Sequence, residues 1–389
     1  MRQTISLPDD AGRCSNYVLS GTPVWPTRPS TFSREALSAV HVVANPFTAR
    51  ELSSEPSIDW RATLAFRRHI LDLGLGIAEA MDTAQRGMGL DWNGAHELIA
   101  QTLRAAQPSE RDRIYCGVGT DQLDPANARS PDDVVRAYLE QLRAVQALDG
   151  RVVLMASRAL ARVARGPGDY EEVYARVLAE ANRPVILHWL GEMFDPALAG
   201  YWGVPDFPAA LQTALAVIGR DSTKVEGIKI SLLDADKEIM MRRRLPTGVK
   251  MYTGDDFNYP DLIKGDESGY SHALLGIFDA IAPAAAAALS ALRDGDYATY
   301  DRIFAPTVPL SKLIFREPTR HYKTGVVFLA WLNGYQDHFI MLAGAQAQRP
   351  LPYFCGIFRL ADAAGLLRDP DVACARMRRF LAVYGIAHA

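Results

Sequence analysis

Lys229 lies inside an apolar run at residues 225–232, whose composition predicts a buried strand. Burial disfavours the ammonium form of a lysine and lowers its pKa, which makes the neutral amine available. A neutral amine attacks a ketone and forms a Schiff base, so Lys229 is the first candidate for catalysis. The alternative is a structural lysine at a strand end, which extends to solvent or pairs with Glu226 or Asp234.

Polar side chains also end or follow the other predicted strands. His188 ends the run at 185–188, and the usual histidine pKa of about 6.5 suits proton transfer at neutral pH. The candidates for substrate binding at such positions are Asn45, Asp82, Thr83, Gln85, Arg86, Ser157, Asp255 and His272. We therefore expect a polar site that is built from several separate strands.

Structural alternatives exist for several of these residues. Asp82, Asp255 and Asp256 could each cap a following helix, because aspartate is a favoured N-cap residue. Asn45 precedes a proline and could close a turn. His188 could be a hydrogen-bonded side chain of the core.

The elements that would position these residues follow a regular rhythm. Short apolar runs, typical of buried strands, occur at 40–44, 76–81, 114–118, 152–155, 185–188, 227–231, 249–252 and, more weakly, 269–273. Stretches with helical spacing lie between them, at 59–73, 93–106, 131–148, 168–182, 206–219, 234–244 and 256–264. Eight β-then-α units over about 250 residues predict an α/β protein with a (β/α)8 TIM barrel, whose strand ends share one rim.

The alternative α/β fold is an open, doubly wound sheet, which typically carries a glycine-rich loop after its first strand. Residues 45–48 read Asn-Pro-Phe-Thr at that position, so we expect no nucleotide cofactor, and no other cofactor is predicted. Around the barrel, placed at 38–282, we expect an N-terminal extension at 1–37 and a C-terminal helical layer at 283–389.

Composition argues against several function classes. The net charge of −3, with no basic stripe, predicts neither a nucleic-acid partner nor an anionic membrane. Residues 1–10 lack the apolar segment of a signal peptide, and no apolar run is long enough to span a bilayer. The four cysteines are far apart, which favours reduced thiols in a cytoplasmic protein.

Four short stretches carry a resemblance to a known family. They are Val-Val-Ala-Asn-Pro-Phe at 42–47, Arg-Pro-Val-Ile-Leu-His at 183–188, Gly-Ile-Lys at 227–229 and Tyr-Thr-Gly-Asp-Asp at 252–256. In this order they resemble the first, fifth, sixth and seventh strands of the dihydrodipicolinate synthase/N-acetylneuraminate lyase superfamily of class I aldolases. The resemblance covers roughly residues 38–300 and implies that Lys229 is the Schiff-base lysine. It also implies a small keto substrate and a homo-oligomer, either a dimer or a tetramer.

Two departures from the family pattern concern the substrate, and they mark the chain as a divergent branch. The family has a proton-relaying tyrosine at the end of its fifth strand, where this chain has His188. The family's second strand ends in Gly-Thr-Thr-Gly-Glu, which cradles the carboxylate of a 2-oxo acid, whereas residues 82–86 keep only Thr83. We expect Arg86 to clamp a substrate carboxylate in place of that loop. The expected ligands of substrate hydroxyl groups are Asp82, Gln85 and Asp255.

The sequence therefore predicts a lyase or aldolase that forms a Schiff base between Lys229 and a keto acid or keto sugar derivative, with His188 as acid and base. Two alternatives stay open. A divalent metal would give an isomerase or hydratase of sugar-type substrates, and its candidate ligands are Asp82, His188, Glu192 and Asp255. A barrel that binds sugar acids without turnover is the third possibility, since a fold does not define a function.

Overall fold

Eight short apolar segments form the parallel strands of a closed barrel in the computed structural model of the chain, which describes residues 3–20, 25, 31–48 and 56–386. A hairpin of β1 (Thr4–Pro8) and β2 (Cys14–Val18) precedes the barrel strands, which are β3 (Ala36–Ala39), β4 (Gly76–Glu79), β5 (Ile114–Val118), β6 (Arg151–Leu154), β7 (Val185–Leu190), β8 (Val225–Ser231), β9 (Lys250–Thr253) and β10 (His272–Leu275). In space the barrel strands follow chain order, and β10 closes on β3. The predicted (β/α)8 TIM barrel of the α/β class is confirmed.

Helices separate the barrel strands and follow the last of them. They are α1 (Trp60–Asp72), α2 (Trp92–Ala105), α3 (Pro131–Ala147), α4 (Arg158–Val163), α5 (Pro167–Ala179), α6 (Phe207–Arg220), α7 (Ala235–Arg242), α8 (Tyr259–Lys264), α9 (Ile277–Arg293), α10 (Tyr297–Phe304), α11 (Thr307–Ile314), α12 (Tyr322–Leu332), α13 (Leu351–Ala363) and α14 (Pro370–Val383). Aspartate N-caps start several of them, including Asp91 before α2 and Asp234 before α7.

The chain forms two compact units. The barrel unit comprises residues 34–40 and 75–276, and it holds all eight barrel strands together with α2 to α8. The helical unit comprises the described residues of 1–33, 41–74 and 277–389. The predicted boundaries after residues 37 and 282 fall inside β3 and α9, so neither marks the end of an element.

The helical unit has an aromatic core of its own. The ring of Phe328 lies 4.7 Å from that of Phe354 and 5.1 Å from that of Phe380. Among the residues that the structure describes, no helix is long and apolar enough to cross a bilayer. All four cysteines are free thiols, and Cys14 alone among them is exposed.

The first barrel strand lies earlier in the chain than we predicted. β3 ends at Ala39, whereas the strand was expected at 40–44. Beyond Ala39, side chains of the helical unit accept hydrogen bonds from backbone N–H groups in place of a neighbouring strand. The N–H of His41 donates to Asp279 Oδ2 at 2.7 Å, and that of Val43 donates to Thr63 Oγ1 at 3.0 Å.

The cause of this error is that residues 36–44 are almost all apolar or small, and an apolar run does not show which half of it pairs. The last strand is also shifted. β10 begins at His272, three residues after the start predicted at 269. Strand positions at the two ends of the barrel sequence were therefore wrong, whereas those between them were close.

Buried and partly exposed polar groups occupy the end of the barrel at which the strands begin. The hydroxyl of Tyr115 donates to Glu226 Oε1 at 2.8 Å, and Lys250 Nζ lies 3.1 Å from the same oxygen. The hydroxyl of Tyr252 donates to Glu35, which directly precedes β3. Tyr115, Glu226 and Lys250 are the first or second residues of their strands, and the Tyr252 side chain extends to the same level. We therefore expect any substrate site towards the other end of the barrel.

Candidate active site

Lys229 lies on β8 with its side chain on the inner face of the barrel. It pairs in register with His188 on β7 and with Tyr252 on β9. Gly227, two residues earlier, lies on the same face of β8. It packs so closely against the Tyr252 ring that a Cβ at this position would lie only 2.7 Å from Tyr252 Cε2. Lys229 is 7% exposed, so its side chain does not extend to solvent.

Neither carboxylate that we considered as a structural partner is engaged with Lys229. Glu226 forms ion pairs with Arg151 and Lys250 at the end where the strands begin. Asp234 caps α7 and lies 3.1 Å from Lys237 Nζ. The lysine is therefore held inside the barrel for a reason other than these two pairs.

The electrostatic surroundings of Lys229 act in two directions. Burial lowers the pKa of the lysine, while the carboxylates of Asp256 and then Asp82 raise it, and the net shift is downward. Burial thus favours the neutral amine of Lys229, while the two neighbouring carboxylates stabilise a cation at the same position. Both forms are needed by a lysine that adds to a ketone and then carries a protonated imine.

Gly254, directly after β9, lies against the end of the Lys229 side chain. A Cβ at this position would lie 2.7 Å from Lys229 Cε and 2.6 Å from the carbonyl oxygen of Ile230, and it would also collide with Ser231 Oγ. The Gly254 N–H donates to that Ile230 carbonyl at 2.8 Å. The lack of a side chain therefore lets the loop after β9 approach the lysine.

His188 lies beside Lys229 as a buried ring. Its Nε2 is 3.2 Å from Oγ of Ser231, the last residue of β8, and the residue is 1% exposed. Burial and then the charge of Lys229 lower the pKa of His188 well below its usual value. The imidazole is therefore neutral, with one N–H and one lone pair, and it can pass a proton through the serine hydroxyl.

The two aspartates after β9 have different surroundings. Asp255 accepts the N–H of Phe257 at 2.8 Å and that of Asn258 at 3.0 Å, so it organises the loop before α8. Burial raises the pKa of its carboxyl group. Asp256 is the one whose charge acts on Lys229. We predicted a substrate-binding role for Asp255, but the structure brings Asp256 to the lysine.

The loop after β4 contributes Asp82 to the site. Asp82 opens a short 3-10 turn that also contains the buried Thr83. Gln85 follows in a left-handed conformation with φ of 62°, and its Nε2 donates to the Met88 carbonyl at 3.1 Å. Of these three predicted substrate ligands, only Asp82 acts electrostatically on Lys229.

Arg86 joins the loops after β4 and β5. Its Nε and Nη2 donate to the two oxygens of Asp121 at 2.8 and 2.7 Å, and Nη2 also donates to Gln141 at 2.7 Å. Its Nη1 donates to the carbonyls of Ala80 and Gly117, both at 3.1 Å. All five N–H groups are engaged, so the expected carboxylate clamp is corrected to a structural cross-link.

The first test of this assignment is Arg86→Met. Because it removes the donors to two main-chain carbonyls and leaves the Asp121 carboxylate without its ion-pair partner, we expect the free energy of unfolding to fall by about 3 kcal/mol. Arg104→Met, at an exposed arginine with only a 3.9 Å contact to Glu97, should change it by less than about 0.5 kcal/mol. Urea denaturation measures both. Unchanged stability in Arg86→Met, with weakened ligand binding, would restore the clamp.

Three other predicted substrate ligands have structural roles elsewhere. Ser157 is the N-cap of α4, and its Oγ accepts the N–H of the third helical residue at 3.0 Å. Asn45 belongs to the helical unit, where its Oδ1 accepts the Phe47 N–H at 3.0 Å. His272 begins β10, its Nδ1 accepts the Glu35 N–H at 2.8 Å, and burial lowers its pKa to about 4. His272 therefore lies where the strands begin, not on the expected rim.

The metal-dependent alternative requires four side chains to converge. Within the described ranges, no group of three or more histidine, cysteine, aspartate or glutamate side chains is placed to hold a metal ion. Glu192 is exposed on the loop after β7, whereas His188 is buried beside Ser231. Asp82, His188, Glu192 and Asp255 therefore do not form a ligand set.

Sequence reasoning missed Ser231 and Gly254 and gave Asp256 too little weight. Ser231 could have been found from strand alternation, because it lies two residues after Lys229 and therefore shares its face. Gly254 belongs to a motif that was recognised, but its contact with the lysine depends on the pairing of β8 with β9. No sequence signal separates adjacent aspartates by the direction of their side chains.

A buried carboxyl group on α7 holds the residue that directly precedes β10. Glu238 on α7 is 1% exposed and accepts a hydrogen bond from Ser271 Oγ at 2.7 Å. Among the described residues, its Oε2 has no hydrogen-bond partner. Burial raises the pKa of Glu238 to about 8, so the group is neutral at pH 7.

This shift predicts a pH dependence of stability. Between the unfolded pKa of about 4.5 and about 8, the folded state keeps a proton that the unfolded state has lost, so stability falls by about 1.4 kcal/mol per pH unit from this group. We expect Glu238→Gln to flatten this decline and to raise the melting temperature at pH 9 more than at pH 5. Thermal denaturation across this range tests it, with the exposed Glu267→Gln as control. Parallel curves for wild type and Glu238→Gln would contradict the shift.

Solved structures of dihydrodipicolinate synthases share the barrel. The enzyme from Thermotoga maritima aligns with a TM-score of 0.64 at 13% identity, over 87% of this chain and 100% of that one. The Acinetobacter baumannii enzyme complexed with pyruvate aligns with a TM-score of 0.60 at 15% identity, over 86% of this chain and 99% of that one.

A third structure, YagE from E. coli K12 in complex with pyruvate, is described as a prophage protein of the dihydrodipicolinic acid synthase family. It aligns with a TM-score of 0.61 at 14% identity, over 92% of this chain and 100% of that one. At such identities the likeness shows a common fold, and it confirms at this level the resemblance found in the sequence.

No curated protein gives a significant match to the chain. The sequence profile of one family, described as "Protein of unknown function (DUF993)", matches residues 5–386. This match spans nearly the whole sequence, including the barrel strands and the C-terminal helices. The chain therefore belongs to the DUF993 family and has the fold of the dihydrodipicolinate synthases.

Proposed function

We propose that this protein is a lyase of the class I aldolase type, which forms a Schiff base between Lys229 and a small keto substrate. The observation that carries the proposal is the burial of Lys229 on the inner face of β8, beside a neutral histidine and two carboxylates. Structures of this fold that hold pyruvate give further support.

The chemistry begins with addition of the neutral Lys229 amine to the carbonyl carbon of the substrate. The carbinolamine then loses water and leaves a protonated imine, which has one positive charge. This cation accepts an electron pair from an adjacent C–C or C–H bond, so that bond breaks and the pair forms an enamine. The negative charges of Asp82 and Asp256, which raise the pKa of the lysine, stabilise the cationic intermediate in the same way.

His188 is our candidate for moving protons at the substrate hydroxyl. Its neutral ring lies in register with Lys229, and its 3.2 Å contact with Ser231 Oγ offers a path to the same face of β8. In this assignment the histidine accepts a hydroxyl proton while the adjacent bond breaks, and later returns it. The assignment uses the pair of His188 and Ser231 where the resembling family uses a tyrosine.

Reductive trapping tests the imine directly. The protein is incubated with a panel of 2-oxo acids and keto sugars, sodium borohydride is added, and peptides are analysed by mass spectrometry. The expected result is a ketone-dependent mass increase on the peptide that contains Lys229. Saturable ligand binding without any adduct on this peptide would contradict the proposal and favour a barrel that binds without turnover.

A further inference from the structure

Formation of an imine at Lys229 requires a proton donor before any substrate bond is cleaved. Addition of the lysine amine to a ketone gives a carbinolamine, whose hydroxyl group leaves as water when it receives a proton. The donor must reach the oxygen on the carbon that is bonded to Lys229 Nζ. In the proposed reaction His188 acts later, at a substrate hydroxyl, so the donor for this earlier step has to be identified separately.

The hydroxyl group of Ser231 lies beside the end of the Lys229 side chain. Ser231 is the second residue after Lys229 on β8 and shares its face of the strand. A Cβ at Gly254 would lie 2.7 Å from Lys229 Cε and closer still to Ser231 Oγ, so these two atoms are less than twice that distance apart. A carbinolamine oxygen is three bonds from Cε, and it can therefore lie within hydrogen-bond distance of the serine.

Main-chain contacts on two sides fix the position of Ser231. Its carbonyl oxygen accepts the N–H of Gly191, directly after β7, at 3.0 Å, and a Cβ at Gly191 would lie 2.9 Å from the same oxygen. Gly254, in the loop after β9, lies against the hydroxyl group. Ser231 itself is 2% exposed. Two residues without side chains therefore enclose the serine and hold its hydroxyl group with little access to water.

The hydrogen bond between Ser231 and His188 allows the hydroxyl group to replace a proton that it gives away. Ser231 Oγ lies 3.2 Å from His188 Nε2, across adjacent strands. A hydroxyl group has one donor proton and two lone pairs, so it can accept a proton from the ring while it gives its own to a substrate oxygen. Tyr252 is also in register with Lys229, but its hydroxyl donates to Glu35 at the end where the strands begin.

The proton that this path carries comes from the Lys229 ammonium group, which passes it to the His188 ring before the neutral amine attacks the ketone. Burial and then the charge of Lys229 lower the pKa of His188, so loss of the lysine charge removes one of the two causes. A proton transfer from nitrogen to oxygen completes the carbinolamine. The first proton then returns from the ring to the carbinolamine hydroxyl, the nitrogen lone pair forms the C=N bond, the C–O bond breaks and water leaves. The ammonium group and the ketone thus give a protonated imine and water, and both helpers end as they began.

We propose that Ser231 is the catalytic acid of imine formation, whose hydroxyl group gives a proton to the carbinolamine oxygen and receives one from His188. In this step the histidine acts through the serine. The reverse sequence hydrolyses the imine of the product, because Ser231 then accepts a proton from the attacking water. The inference rests on the proposed Schiff base at Lys229, and it concerns a step that is separate from cleavage of the substrate.

Time-resolved trapping tests this role. The protein is mixed with pyruvate or hydroxyacetone, borohydride is added after delays from milliseconds to minutes, and the reduced peptide that contains Lys229 is measured by mass spectrometry. Neither ketone has the β-hydroxyl group that aldol cleavage requires. The time course therefore gives the rate of imine formation without cleavage, and its plateau gives the amount of imine at equilibrium.

Ser231→Ala is expected to slow imine formation by about 10²-fold and to leave the plateau unchanged, because an acid catalyst alters the rates in both directions equally. His188→Gln should slow it to a similar extent. The double variant should be no slower than the slower single variant, since both residues act in one path. Ser268→Ala removes the hydroxyl group of an exposed residue, and this control should match the wild-type protein.

The possible failures can be told apart. A wild-type rate in Ser231→Ala or in His188→Gln overturns the proton path, as do two effects that multiply in the double variant. An equal fall of rate and plateau in a Ser231→Ala protein with wild-type urea denaturation also overturns it, because the serine would then only position Lys229. Absence of an adduct on the wild-type Lys229 peptide with every ketone overturns the proposed function and this inference with it.

Discussion

Lys229→Ala is expected to abolish reductive trapping and to slow exchange of the hydrogens next to a ketone carbonyl by about 10³-fold or more. The alanine variant has no amine that can form the imine, and neither His188 nor the two carboxylates can substitute for it as an electron sink. Proton NMR in deuterium oxide follows this exchange with hydroxyacetone or pyruvate, so the measurement does not require the natural substrate.

Two variants control this experiment. Lys237→Ala removes a half-exposed lysine that pairs with Asp234 and should exchange hydrogens at the wild-type rate. Lys229→Arg keeps the positive charge between Asp82 and Asp256 but has no nucleophilic amine at neutral pH. Substantial exchange by Lys229→Arg would show that charge alone suffices and would contradict covalent catalysis.

Gly254→Ala has the second largest expected effect. The new methyl group would meet Lys229 Cε, the Ile230 carbonyl and Ser231 Oγ, so the loop after β9 must move away from β8. We expect a loss of about 1–3 kcal/mol in the free energy of unfolding from this overpacking. We also expect imine formation to slow by about 10²-fold, because the lysine loses its position.

Gly219→Ala is the matched control for this substitution. Gly219 lies in α6, and nothing within 4 Å would meet an added Cβ. Its replacement should stabilise the helix by about 0.5–1 kcal/mol and leave trapping unchanged. The comparison uses urea denaturation and trapping rates on both variants. Wild-type trapping by Gly254→Ala would show that the close approach of this loop is not needed.

The barrel could be predicted from the sequence because each strand is a short apolar run and each helix has its own spacing. Lys229 stood out for the same reason, since a charged residue interrupts a run that must be buried. The first strand was misplaced because the chain stays apolar beyond Ala39, where strand pairing ends. After this point the backbone N–H of His41 donates to Asp279 instead of to a neighbouring strand. Such a change of partner depends on residues more than 200 positions away.

The candidate site was harder to predict than the barrel. Arg86 looked like a free clamp, because its partners Asp121 and Gln141 are 35 and 55 residues away in the chain. Asp255 and Asp256 are adjacent, and the sequence does not show which carboxylate organises the loop and which one acts on Lys229. These assignments depend on how separate loops meet, which periodicity and composition do not describe.

The polar groups at the end where the strands begin have a kinetic consequence for the proposed lyase. Tyr115, Glu226 and Lys250 fill the interior there, and Leu37, Ile186 and Leu274 are among the core residues packed inside the barrel. In the proposed cleavage, both fragments then leave by the route through which the substrate entered. In the proposed reaction the fragment bound to Lys229 leaves only after its imine is hydrolysed, so we expect the unattached fragment to depart first.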